Sequence, residues 1–256
     1  MSFNGNQGGP FGRGAGVRRS QGMFNPFGQT RQGGWVNPAM QGAISVPEKV
    51  MGLTTLAVAA AVGGVVLGYQ GLAISVGSGY FLWFIVMLGL AFGARALADR
   101  PVLGISLFVA FGVVTGIVIS PLLIVLRQAG MENVVYEALA GTAAVTGAVT
   151  VYARRTSRDF SRLGGWLFAA LIGIIVAMVI GLFVHSTALE ILISAAACVV
   201  FSGFLLYDVQ RVAMTRVTTQ GNAIRLALSV YLDIFNLFLN LLMLLALTQG
   251  GGGSRR

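Results

Sequence analysis

Leu226–Leu247 reads LALSVYLDIFNLFLNLLMLLAL, an apolar stretch long enough to cross a bilayer as a helix. It nevertheless carries an acid, Asp233. Ser229, Asp233, Asn236 and Asn240 follow one another at helical spacing. At roughly 100° per residue they share an arc of about 60°. The rest of the surface is Leu, Ile, Phe and Met. A carboxylate at mid-membrane costs about 2.5–3.5 kcal/mol on insertion scales. Such a group faces a bundle interior or a water-filled path rather than lipid. The stretch therefore predicts a helix whose polar stripe lies against other helices. The amides and hydroxyl also fit a plain inter-helix seam, whereas the acid points to function.

Working outward, the whole chain has the same character. Hydrophobic residues make up 56% and charged residues 10% of the chain, and the mean hydropathy is +0.82. Those values exclude an ordinary soluble domain and predict an all-α, polytopic membrane protein. Seven apolar runs are legible, at about Val50–Tyr69, Gly79–Leu97, Val102–Leu126, Val134–Ala153, Gly165–Val184, Ala188–Tyr207 and the stretch above. Short gaps between them predict one compact bundle. Pro121 should kink or end the third run. Thr142, Thr146 and Thr150 stack along the fourth, and Gly173 and Gly181 offer close approach on the fifth.

The organisation expected is a flexible basic tail over 1–47, a transmembrane domain over 48–249 and a short basic tail over 250–256. The first tail is rich in Gly, Asn and Gln and has no apolar periodicity. It lacks the apolar core of a secretory signal.

The net charge of +9 does not imply nucleic acid. The arginines cluster in alternate gaps: Arg95 and Arg100; Arg154, Arg155, Arg158 and Arg162; Arg211, Arg216 and Arg225. With alternating crossings these share one face with the N-terminal tail, and the opposite gaps hold only Arg127. That pattern puts the N-terminus in the cytoplasm. Full crossing of the last run leaves Arg255 and Arg256 on the other side, and a re-entrant segment would return them. Its length favours full crossing.

Of eight acids, Glu48, Asp99, Glu132 and Asp159 lie beside Lys49, Arg100, Arg127 and Arg158, where solvated pairs are expected. Glu190 suits a helix N-terminus. Glu137 lies one turn into the fourth run, and both acids could draw cations to an outer mouth. Asp208 ends the sixth run in SGFLLYDVQRV. The short link to the seventh run predicts antiparallel packing, which brings Asp208 and Asp233 to similar depth near the cytoplasmic end. Two carboxyls that close share a proton, and when ionised they could pass a divalent cation on oxygen ligands. Arg95 is a candidate counter-ion; Asp208 could instead pair only with Arg211. His185 and Cys198 are single and predict no metal cluster, and no Ser–His or His–carboxylate set predicts an enzyme.

GFLLYDVQRV and YLDIFNLFLNLLMLL resemble the Bax inhibitor-1 family, as do TGIVISPLL in the third run and TSRDFSRLGGWLF before the fifth. The resemblance covers about Val50 to Leu247, and the short loops look like those of bacterial members, placing the chain in a bacterial plasma membrane. It implies a seven-helix bundle with the last helix central. It further implies a pH-sensitive calcium leak gated by an aspartate pair, here Asp208 and Asp233, with Arg95 matching a second-helix arginine. No tightly bound cofactor is implied; Ca²⁺ is the permeant ion. Two other readings stay open. Some bacterial relatives resemble modulators of a membrane-bound AAA protease, so the chain could be a non-conducting regulator with a protease partner. Two acids in a bundle also suit a proton-coupled antiporter, although no inverted repeat is visible.

Overall fold

The computed structural model describes residues 45–73, 76, 79–156, 158–215 and 219–250. The N-terminal tail before Ser45, Arg216, and Arg255 with Arg256 lie outside the described residues. Among the described residues the regular structure is entirely helical. α1 spans Val46–Leu67, α2 Tyr80–Ala96, α3 Pro101–Gln128, α4 Glu132–Arg155, α5 Leu163–Val184, α6 Thr187–Met214 and α7 Gln220–Gly250. A π-helical turn, Gly68–Leu72, extends α1, with Gly71 at φ +122°, which disfavours any side chain. This extended α1 and α3 to α7 are long and apolar enough to cross a membrane; α2 is a shorter apolar helix.

Helix ends follow local chemistry. The Ser45 hydroxyl accepts from the Glu48 N–H at 3.4 Å, and the Glu48 carboxylate accepts from the Ser45 N–H at 2.9 Å. This capping box satisfies donors that the first turn cannot pair. The expected boundary at 47/48 therefore falls inside α1, and Glu48 serves Ser45 rather than Lys49. At its far end the last helix is continuous to Gly250.

Pro121 does not end α3, contrary to one sequence expectation. Proline has no N–H for the carbonyl one turn back. The Ser120 hydroxyl donates to that carbonyl, Ile117 O, at 2.6 Å. A neighbouring hydroxyl thus serves the freed backbone group, as intramembrane prolines require.

Backbones approach most closely between α1 and α3. A Cβ on Gly116 would overlap the Ala61 carbonyl, and one on Gly64 the Val113 carbonyl. Small residues permit that approach. The two glycines singled out on the fifth run do not act this way. A Cβ on Gly173 would meet nothing within 4 Å, and one on Gly181 only ordinary contact with Ile193.

α7 packs against α1, α2, α3, α4 and α6, whereas α5 packs against α6 alone among the described helices. The buried interior contains Phe108, Phe111, Leu205, Ile224, Tyr231 and Leu237. Tyr231 receives Phe108 and Phe111 edge-on at 5.9 and 5.7 Å and stacks on Phe235 at 6.0 Å. Its hydroxyl pairs with Thr115 Oγ1. The outward face of α5 is apolar, with Trp166, Phe168 and Phe183 exposed.

Candidate functional site

α6 runs on past Tyr207 to Met214, so Asp208 stands inside the helix instead of ending it. The apolar run stops there, but Asp208, Val209, Gln210 and Val212 are all buried against neighbours. Tertiary packing extends the helix where hydropathy alone suggested an end. Asp233 stands in the N-terminal half of α7. The two carboxyls are 5% and 6% exposed. They lie close enough to act on each other, and Ser229 acts on Asp208 as well. Asp233 Oδ2 is buried with no hydrogen-bond partner among the described residues.

Burial matters here because a carboxylate withdrawn from water needs compensation. Two ionised carboxylates offer none to each other, having only acceptors. A hydrogen bond between them requires one proton held between the two. Ser229 can donate one further bond. Such a site can bind or release a proton, or hold a hard cation on oxygen. Among the described residues no group of three or more His, Cys, Asp or Glu forms, so the acids stand as a pair.

Cationic side chains flank rather than enter the pair. Arg211, one turn along α6, and Arg95 at the end of α2 both act on Asp208 through space. Both are exposed, and neither forms a salt bridge with it among the described residues. The arginine that makes the close contact at this end is Arg225. Its Nη2 and Nη1 hold the Asp99 oxygens at 2.7 and 3.2 Å, and its Nε donates to the Arg95 carbonyl at 3.3 Å. This fork ties the start of α7 to the α2–α3 link. The Arg225 hydrogen bonds hold the Asp99 carboxyl below its ordinary range. Asp99 therefore pairs with Arg225, not with its neighbour Arg100. Asp159 likewise turns from Arg158 to Ser161, whose N–H donates at 2.8 Å and lowers the carboxyl's proton affinity. Arg127 and Glu132 do pair, at 3.2 Å.

The rest of the stripe on α7 behaves differently from its acid. The Asn236 amide donates to Leu232 O and the Asn240 amide to Asn236 O, both at 2.8 Å. These bonds stay on their own helix, and among the described residues neither amide bridges to a neighbour. Glu137 and Glu190 are exposed and are not brought to the pair. Glu137 accepts from the Gln249 amide at 2.7 Å, at the far end of α7. That point lies about 24 Å along the axis from Asp233, at 1.5 Å per residue. Glu190 sits in the first turn of α6.

Two residues near the pair were passed over in the sequence. Gln210, 3% exposed, accepts from the Phe160 N–H at 2.9 Å and donates to the Arg158 carbonyl at 2.6 Å. It clamps the α4–α5 link two positions from Asp208. Its signal was an uncharged amide within YDVQRV, on the same helix as an acid. Tyr231, two positions before Asp233, is buried with its hydroxyl on Thr115. In the sequence it is one aromatic among many.

Comparison with known proteins adds the ancestry of this arrangement. The family model described as "Inhibitor of apoptosis-promoting Bax1" matches residues 45–250, the whole helical region and both acids. The chain is 34% identical over 167 residues to a protein of Escherichia coli K12 named "Modulator of FtsH protease YccA", covering 65% of this chain and 74% of that one. It is 31% identical over 168 residues to an uncharacterized protein of Helicobacter pylori strain 26695, covering 65% and 71%. An uncharacterized membrane protein of Streptococcus pyogenes serotype M1 is 32% identical over 169 residues, covering 64% and 72%.

Proposed function

The chain belongs to the family of inhibitors of apoptosis-promoting Bax1, and on that premise we propose a passive, pH-sensitive calcium leak gated by Asp208 and Asp233. The observation that carries this reading is the meeting of two buried carboxyls on neighbouring helices. With one proton between them the pair is neutralised in part and bonded together, and α6 and α7 stay closed. Loss of that proton leaves two like charges in contact, and their repulsion parts the helices. The parted oxygens then suit a hard divalent ion such as Ca²⁺. Acid therefore closes the path and alkali opens it. Arg95 and Arg211 set the local field, Arg95 serving as counter-ion when Asp208 is ionised.

In this reading seven helices cross the bilayer, α7 is the central one, and the N-terminus is cytoplasmic. The host membrane is a bacterial inner membrane. Glu137 and Glu190 face the opposite mouth, where they can attract cations. The protein performs no chemistry and holds no resident cofactor.

The test is Ca²⁺ entry into vesicles carrying the full chain, followed across pH. Flux should rise with pH in the parent protein. Asp233→Asn and Asp208→Asn should each flatten that dependence, because a single acid has no partner to repel. Unchanged flux and unchanged pH dependence in both variants would falsify the gate.

A second reading has its own support, the name of the Escherichia coli relative as a modulator of FtsH protease. Here the chain regulates a membrane protease without conducting. Co-purification with a membrane-bound AAA protease, compared between the full chain and one lacking residues 1–44, distinguishes the two. Loss of the protease with Ca²⁺ flux intact assigns the partner role to the tail.

A further inference from the structure

α1 and α4 do not touch each other, although both pack against α3 and α7. The space between them is a cleft of about 990 Å³. Its walls are almost wholly apolar, including Val62 and Val65 of α1, Leu139 and Ala143 of α4, and Phe235 and Phe238 of α7. Val62 and Leu139 are 61% and 50% exposed, so the cleft opens sideways. In a membrane protein that opening faces hydrocarbon, and water has no partners there.

One end of the cleft is polar. A second pocket of about 450 Å³ adjoins it, lined by Tyr69, Ile124, Arg127, Gln128 and Glu132. Tyr69, Arg127 and Glu132 line both spaces. Arg127 uses Nε for its 3.2 Å bond to Glu132, which leaves its two terminal nitrogens to donate elsewhere. Those nitrogens present the planar fork that matches a phosphate. The Glu132 carboxylate beside it, with the Tyr69 and Tyr136 rings nearby, suits an ammonium. The cleft follows α4 from Glu132 to Gly147, about 22 Å at 1.5 Å per residue. One leaflet's hydrocarbon is half of a core about 30 Å thick, so a full acyl chain fits.

We propose that the α1–α4 cleft is a binding site for one zwitterionic phospholipid, with an acyl chain between the helices and the headgroup on Arg127 and Glu132. The paired opposite charges select a headgroup that also carries both signs, and disfavour one that is only anionic. The cleft's headgroup end lies far from the acid pair, while its inner end reaches Tyr231 and Ile234 beside Asp233; the assignment stands whether or not the chain conducts ions.

Vesicles carrying the full chain and a phosphatidylethanolamine tracer, photoactivatable in its acyl chain, test the assignment by mapping crosslinks. Peptides bearing Val62 and Leu139 should be labelled above those bearing Phe168 on α5, which meets only bulk lipid. Arg127→Gln removes a charge-assisted hydrogen bond, so cleft labelling should fall about tenfold, with α5 unchanged. Gly147→Leu should do the same by filling the cleft, since a Cβ there meets nothing within 4 Å. A phosphatidylglycerol tracer should label cleft and α5 alike. Equal labelling of cleft and α5 by the phosphatidylethanolamine tracer, or cleft labelling indifferent to both substitutions, overturns the site. So does a phosphatidylglycerol tracer that favours the cleft equally.

Discussion

Gln210 spends both ends of its amide on the backbone of the α4–α5 link. Gln210→Ala removes both of these part-buried hydrogen bonds, each worth about 0.5–1.5 kcal/mol, and should cost about 1–3 kcal/mol in all. Denaturant unfolding in detergent measures it, and hydrogen exchange at Phe160 should quicken. Ser120→Ala removes the donor to the carbonyl freed by Pro121 and should cost about 0.5–1.5 kcal/mol in the same assay. At this scale the sequence was partly legible. Asp233 announced itself because an acid amid Leu and Phe has few bland explanations. Arg225 did not, because a loop charge looks the same whether it is solvated or forked onto Asp99. Asn236 and Asn240 shared the acid's face, yet their amides turn to their own backbone. Angular position cannot distinguish a bond to a neighbour from a bond one turn back.

Among elements, the α1–α3 pair is the tightest. Gly116→Val pushes methyl groups against the Ala61 backbone, which has no rotamer to yield. Overpacking of this kind costs about 1–3 kcal/mol, and the value should sit at or above the upper end. Gly173→Ala, with open space around it, should stay within about 0.5 kcal/mol of the parent. Thermal unfolding of the two variants side by side checks the contrast. Both glycines lie in apolar runs, so sequence alone could not say which faced a helix and which faced lipid. Helix positions were clear from hydropathy, whereas ends were not. α6 outlasts its apolar run because its last turns are buried by neighbours, and α1 begins earlier because Ser45 and Glu48 cap it.

For the whole molecule, an all-helical membrane bundle was legible through its apolar runs. What the pattern could not contain was which helices pack on one another, or the gap between α1 and α4. Both arise from side-chain shape across many contacts. The Asp99–Arg225 fork links two helix ends, and its pH dependence has a definite sign. Asp99 titrates below its ordinary 3.8 when folded, so folding excludes protons there. The fork's contribution is complete above that value and is lost as pH falls through the lower folded value. Melting temperatures of the parent and Asp99→Asn should differ at neutral pH and converge in strong acid.

Among the described helices α5 packs on α6 alone, which has a consequence for biosynthesis. A nascent α5 needs no companion, since its sequence is apolar all round and can leave the translocon into lipid alone. α7 cannot do so without the cost of carrying Asp233 into hydrocarbon, about 2.5–3.5 kcal/mol. It is made after α6, which is then in place to receive that side chain. Chain order thus lets the second of the two acid-bearing helices arrive when its berth has been built.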